Sequence, residues 1–334
     1  MTQVVETKRV IFIPKGSTSY IVSYLDKKNY DMNPLDKLTI KALGYPQSGW
    51  IDLKYTKMTK IEFLYRLTTS KAALKKVTLI PGETYYFFLQ DLAKTLNVST
   101  IKLFDIYSQK AYKKDGNIIA DTYYLPIGME ENQLLSHLLE LTQNKYKKLS
   151  LKIFGEYNKQ NWYRYVTIAS IIQKESASKE EMPLVSSVIH NRLKKKMRLQ
   201  MDGTLNYGKY SHTKVTPKMI KNDLSEYNTY KNSGIPKNPV CAIEFEAIKA
   251  AIFPAKSNYL YFVKSPDGTK HNFSSTYKQH INNINKVKRA KRLKKLNSKK
   301  KTKKYIKKKQ KKTPVQKQTK EKPVFRKNLK DLWK

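Results

Sequence analysis

The last fifty residues of this chain cannot build a hydrophobic core, which confines the fold to what precedes them. Between positions 285 and 334, 24 Lys and Arg stand against two acids, Glu321 and Asp331, for a net charge of +22. Like charges at that density repel one another, so this stretch is expected to be a disordered or helical basic tail. Subtracting it from the +41 of the whole chain leaves +19 on the other residues, which is basic but compatible with a folded body. Such an excess calls for an anionic partner: nucleic acid, anionic lipid or an acidic cell-wall polymer. The tail would bind nucleic acid without sequence preference whatever the body does, and the folded part carries no RNA- or DNA-binding motif. A specific nucleic-acid partner is therefore not expected.

The remaining composition excludes several other classes. Cys241 is the sole cysteine, so no disulfide closes within the chain, and the five histidines lack metal-ligand spacing. Neither a metal nor a cofactor is expected. No run approaches the roughly 18 consecutive apolar residues of a membrane span. The start, MTQVVETKRVIFIPKG, is not a signal peptide, because its apolar run is short and stops at Pro14.

Two segments near the front echo one another. VIFIPKGSTSYIVSYL (10–25) and VTLIPGETYYFFLQDL (77–92) both read as strand, turn with Pro and Gly, hydroxyl residue, amphipathic helix. In the second, Thr84 is the expected N-cap, Phe88, Leu92 and Leu96 form one stripe, and Asn97 ends the helix. The pair reads either as generic strand-turn-helix units or as a LysM-like arrangement, a small fold that binds amino sugars. A further helix is expected over 131–142, and the lysine-rich NKYKKLSLK after it places a domain boundary at 144–158. The expected organisation is a strand-turn-helix unit (1–74), a LysM-like unit (75–150), a main domain (151–285) and the tail (286–334).

The chemistry concentrates in RYVTIASIIQKES. At 3.6 residues per turn Ile168, Ile171, Ile172 and Glu175 share one stripe, while Thr167, Ser170 and Lys174 lie on another face. A carboxyl at the end of an apolar stripe is hard to ionise, and a raised pKa suits a general acid working near neutrality. Periodicity alone favours the blander reading, a glutamate reaching water from a frayed helix end. A second helix starts near Pro183, burying Leu184, Val185, Val188, Ile189 and Leu193. It leads into a loop with Gln200, Asp202, Thr204 and Tyr207.

ASIIQKE, NRL, RLQMDGTLNYG, YNTY, SGIP, AIFPAKSNYLYFV and HNFS occur in this order. Together they resemble the MltG (YceG-like) endolytic murein transglycosylases, from about residue 10 to 284. The resemblance implies an α+β chain in which LysM-like N-terminal modules join a mixed α/β catalytic domain. It implies a catalytic glutamate at Glu175. Many members carry a second glutamate where this chain has Gln173, and a proline where it has Gly203. Glu175 is thus the one carboxyl in the helix, and a lytic transglycosylase needs only one, where an ordinary glycosidase needs two. Gln200, Asp202 and Thr204 become candidate cleft residues by the same resemblance. Asn228 and Tyr230 are candidates to orient sugar groups, Asn228 equally a turn residue. Tyr207 is a candidate stacking platform, His271 a cleft candidate, and Arg192 either bridges buried carbonyls or meets a substrate carboxylate. The resemblance further implies peptidoglycan strands as substrate, the glycan polymerase machinery as partner, and a place at the periplasmic face of the inner membrane. Members normally start with a transmembrane helix; this chain shows none, so a start truncated or chosen too late is expected. The tail would then meet anionic lipid or cell wall.

Overall fold

The computed structural model describes residues 3–310, with side chains through 297. The N-terminal part is built from two βααβ units. In the first, β2 (Val10–Ile13) and β3 (Gly49–Asp52) pair antiparallel around α1 (Thr18–Asp26) and α2 (Pro34–Leu43). In the second, β5 (Leu74–Thr78) and β6 (Thr122–Pro126) pair antiparallel around α4 (Tyr85–Leu96) and α5 (Thr100–Lys110). The echo in the sequence is this repeat. The first unit is widened by β1 (Val4–Glu6), paired with β4 (Lys57–Thr59), and by α3 (Lys60–Thr69). Each unit has its own core, Ile13, Leu25, Ile40, Leu53 and Phe63 in one, Phe88, Leu92, Leu103 and Leu135 in the other.

Local signals set the helix limits. Ser17 caps α1 by accepting from Tyr20 N–H, and Asn33 and Asp36 form a reciprocal capping box with Pro34 in the first turn of α2. Asn97 ends α4 in the left-handed conformation, φ +55°. Thr84 corrects the expectation. It holds the N-cap position of α4, yet its hydroxyl makes no cap and donates instead to the Gly208 carbonyl at 2.9 Å. Tyr85 N–H turns to the buried Asp115 carboxylate, at 3.2 and 3.3 Å from its two oxygens.

α6 (Glu131–Phe154) is twice the expected length. The lysine-rich stretch taken as a joint is helical because it is amphipathic. Tyr146 and Ser150 are buried while Lys147, Lys148 and Lys152 face outward, and Gly155 stops the helix at φ +75°. Residues 3–280 lie in one compact unit, so 144–158 is no gap in the packing. The basic end begins as α11 (Tyr277–Gln310), and the described residues from 281 onward belong to a second unit. The rest of the expected tail lies outside the described residues.

The third core gathers around α7 (Lys159–Glu175), packed on α8 (Met182–Lys194) and, after the short α9 (Pro217–Asn222), on α10 (Phe245–Ile252) beside the antiparallel pair β7 (Tyr261–Lys264) and β8 (His271–Ser274). α7 is buried on nearly every side from Trp162 to Ile172. Thr167 and Ser170, read from periodicity as a different face, are therefore buried as well. Thr167 Oγ1 donates to Tyr163 O, and Ser170 Oγ donates to Thr167 O while accepting Val240 N–H at 3.0 Å. Each hydroxyl satisfies itself on backbone, which removes the cost of burying it. Gly116 (φ +72°) lies so close to α7 that a Cβ there would stand 2.7 Å from Val166 Cγ1. That contact presses the second βααβ unit against α7. Among the described residues no helix is long and apolar enough to cross a membrane.

Candidate active site

α7 ends at Glu175, and the turn at Asp202–Leu205 meets it there. Gly203 N–H donates to Glu175 Oε1 at 2.7 Å. The other carboxyl oxygen makes no hydrogen bond among the described residues and is not sealed from solvent, so it can meet a ligand. Burial pushes the carboxyl up from 4.5 to about 7, and the Asp202 charge adds to the rise. Gly203 N–H and the Arg192 guanidinium act in the opposite sense. At neutral pH this group is divided between acid and carboxylate, so it can both give and take a proton.

The contact depends on residue 203 being small. A Cβ at Gly203 would lie 2.7 Å from Lys174 Cβ and 2.8 Å from Glu175 Oε1. Its φ is not in the left-handed region, so the glycine serves close approach, not backbone freedom. Gly203 is buried, and its N–H, which the proline of many family members would lack, is spent on the carboxyl.

The other candidates divide. Asp202 is exposed beside the acid, and Tyr230 OH donates to its Oδ1 at 2.6 Å. Burial and the Asp202 charge hold the Tyr230 phenol well above its ordinary pKa, so it stays a donor. Gln200 is exposed, held at φ +50° with its N–H on Thr229 O. Asp202 and Tyr230 lie within electrostatic reach of Glu175.

Five others are committed inside the protein. Thr204 is fully buried, its hydroxyl shared between Met201 O (2.8 Å) and Thr229 Oγ1 (3.1 Å); it fixes the turn and does not line a cleft. Asn228 is fully buried too and is the turn residue of the two readings, donating to Ile220 O and Asp223 O at 2.8 Å each. Arg192 bridges carbonyls of Leu260, Arg198 and Leu199, and its guanidinium lies over the Tyr261 ring. Its charge is felt at Glu175, while Nε and Nη1 are spent on those carbonyls. His271 pairs with Glu181, Nδ1 to Oε2 at 2.9 Å, with its own N–H on Oε1; the ring is 8% exposed, so the pair staples β8 to the start of α8. Tyr207 stacks on buried Tyr227, centroids 4.1 Å apart, and so presents one covered face.

Sequence reasoning missed the clamps on the 203–213 segment. Lys174 Nζ donates to Ser211 Oγ at 2.8 Å, Thr84 Oγ1 reaches Gly208 O, and His212 pairs with Glu83 at 2.8 Å while stacking on Phe87. The second βααβ unit thereby holds the segment that delivers Gly203. Gln173, where many relatives have a glutamate, clamps α10: its amide accepts Glu244 N–H and donates to Glu244 Oε1. No spacing rule announces pairs of residues more than thirty positions apart.

These features define a candidate class, a site with one carboxyl tuned to neutrality and a second carboxylate held by a tyrosine. The YceG-like family model matches residues 11–286, and the chain belongs to that family. It is 36% identical over 298 residues to an endolytic murein transglycosylase of Bacillus subtilis (strain 168), covering 81% of this chain and 82% of that protein. It is 29% identical over 180 residues to an endolytic murein transglycosylase of Streptococcus pneumoniae (strain R6); that match spans 52% of this chain and 32% of the longer relative. A crystal structure of a YceG-like protein from Listeria monocytogenes superimposes with a TM-score of 0.53 at 23% identity, covering 84% of this chain and 99% of that one, a likeness of fold.

Proposed function

We propose that this chain is an endolytic murein transglycosylase that cuts the β-1,4 bond between N-acetylmuramic acid and N-acetylglucosamine, with Glu175 as sole acid and base. The observation that supports it most is the Glu175 carboxyl itself, half-buried, raised to about 7 and bonded through one oxygen only. Protonated Glu175 donates to the glycosidic oxygen as the bond to C1 breaks. The carboxylate then takes the proton of the muramyl C6 hydroxyl as that oxygen closes onto C1. The products are a 1,6-anhydromuramyl end and a free N-acetylglucosamine end, with no water consumed. The closure is intramolecular, which favours it over hydrolysis. Asp202 and Tyr230 stand beside the acid as a hydrogen-bonded pair and orient the sugar.

In this reading the front βααβ units are LysM-like holders of the glycan, residues 151–285 do the chemistry, and 286–334 is an accessory tail. Cutting nascent strands would end their elongation beside the glycan polymerases. The inner-membrane placement rests on the family resemblance. The tail's role is electrostatic: deleting 286–334 is expected to weaken adsorption to sacculi or anionic vesicles at low salt, leaving turnover on short soluble fragments unchanged. A collapse of that turnover would make the tail part of the catalytic body.

Digestion of purified sacculi followed by mass spectrometry tests the reaction, because anhydromuramyl ends are lighter by one water than the reducing ends a hydrolase leaves. Asp202→Asn separates the two mechanisms. It is expected to cost less than about tenfold in rate and to keep anhydromuramyl products. Removing a negative neighbour lowers the Glu175 pKa, so the alkaline fall in activity moves to lower pH. Reducing-end products from the wild type, lost in this variant, would make Asp202 a hydrolytic base and overturn the proposal.

A further inference from the structure

At the opposite end of α7 from Glu175, two hollows of about 560 and 280 Å³ share Tyr112 and Lys113 as a common wall. The larger presents the rings of Tyr85 and Phe104 from the second βααβ unit, with buried Tyr107 stacked behind Tyr85. The smaller lies against Gln160 and Arg164 in the first turns of α7 and against 235–237. They form one groove across the junction of that unit with the α7 core.

Its walls are fixed. Lys114 N–H donates to Asn238 Oδ1 at 3.1 Å, Asn238 Nδ2 donates to Glu226 Oε1 at 2.7 Å, and Lys237 N–H donates to Glu226 Oε2 at 2.8 Å. Tyr163 OH donates to Asn117 Oδ1 at 3.0 Å, tying the 111–117 loop to α7.

The charge in the groove is one-sided. Lys113, Lys114, Arg164 and Lys237 line it, and Lys159 Nζ lies 4.4 Å from the Tyr112 ring centroid. None of these five forms an ion pair among the described residues. Against them stand Asp105, which lines the larger hollow, and Glu226, whose two oxygens are occupied as above. The N-terminal end of the 17-residue α7 adds partial positive charge at the same place. Aromatic faces that can lie against sugar rings thus adjoin unpaired cations that can hold carboxylates.

We infer that this groove binds the carboxylate-bearing peptide stem of a glycan strand, with the sugar next to it lying on the aromatic wall. The inference rests on the peptidoglycan reading above and adds where the strand is held. Sixteen residues of helix, at 1.5 Å each, put Lys159 about 24 Å from Glu175. The groove therefore grips the strand away from the bond that is cut, and fragments too short to span that distance gain nothing from it.

Glycan strands carrying their stems, and the same strands stripped by an amidase, test this in the full-length protein at about 0.15 M salt, where long-range attraction to the tail is screened. The wild type is expected to show a KM about tenfold lower on stem-bearing strands. Lys113→Gln/Lys159→Gln/Arg164→Gln should raise that KM to the value for stripped strands, with kcat and the stripped-strand KM unchanged. The independent pair Lys114→Gln/Lys237→Gln should shift it the same way by less. Equal KM values on the two substrates in the wild type, or a stem preference that survives both variants, would overturn the inference while leaving the catalytic reading intact. Absence of anhydromuramyl products from either substrate would refute the catalytic reading itself.

Discussion

Glu175→Gln is expected to lower strand cleavage by about three orders of magnitude, near the middle of the range for removing a general acid/base. The amide keeps the size of the side chain and can still accept Gly203 N–H, so the turn stays docked. What disappears is the transferable proton. Anhydromuramyl release from sacculi measures the loss, and a variant retaining a tenth of the wild-type rate would reject the assignment. The same substitution has a signature in stability. The folded protein holds the Glu175 proton up to about pH 7, whereas an ordinary glutamate gives it up near 4.5. The contribution of this group to stability is thus fully present below about pH 4.5 and lost as pH rises through 7, at most about 3 kcal/mol for this half-buried side chain. Glu175→Gln should therefore raise the melting temperature at pH 8 and leave it nearly unchanged at pH 4. Activity of the wild type has the same origin. On strands at low concentration kcat/KM should fall about tenfold per pH unit above 7, as the protonated form is depleted.

Gly203→Ala is expected to cost about a hundredfold in kcat, because the added methyl must displace either the backbone of the turn or the carboxyl it contacts. Lys174 Cβ is fixed to the helix backbone and cannot swing away, so the flexible Glu175 carboxyl moves. Losing the Gly203 N–H bond also removes an interaction that favours the carboxylate, and the pKa of Glu175 then rises. A lower kcat with an alkaline limb shifted upward in pH is the expected pair of changes. A variant with wild-type kcat and an unmoved limb would show that the contact does not place the acid.

Much of the fold was legible in advance because its signals are local. The echo of 10–25 in 77–92 is the repeated βααβ unit, and Asn97 and Pro183 stand at the helix ends where backbone geometry wants them. The lysine-rich stretch of α6 misled because charge looks like a linker when the buried face, Tyr146 and Ser150, recurs only every fourth residue. The partners of Thr84, Thr204, Asn228 and His271 were hidden from the sequence for a shared reason. Each is a polar residue inside a motif, and its partner, Gly208 O, Thr229, Ile220 O or Glu181, is fixed only when the chain closes.

The sequence alone determined that a carboxyl would end an apolar helix stripe, that the front would repeat, and that the charged end could not join the core. Each follows from periodicity or from like-charge repulsion, which need no knowledge of neighbours. Only the tertiary structure decided which neighbours that carboxyl has. The 2.7 Å approach of Gly203 N–H, the Asp202 charge beside it, and the burial that sets its proton affinity depend on bringing residues 175 and 203 together. Electrostatic energies change steeply with distance and solvent exposure, and neither is written along the chain.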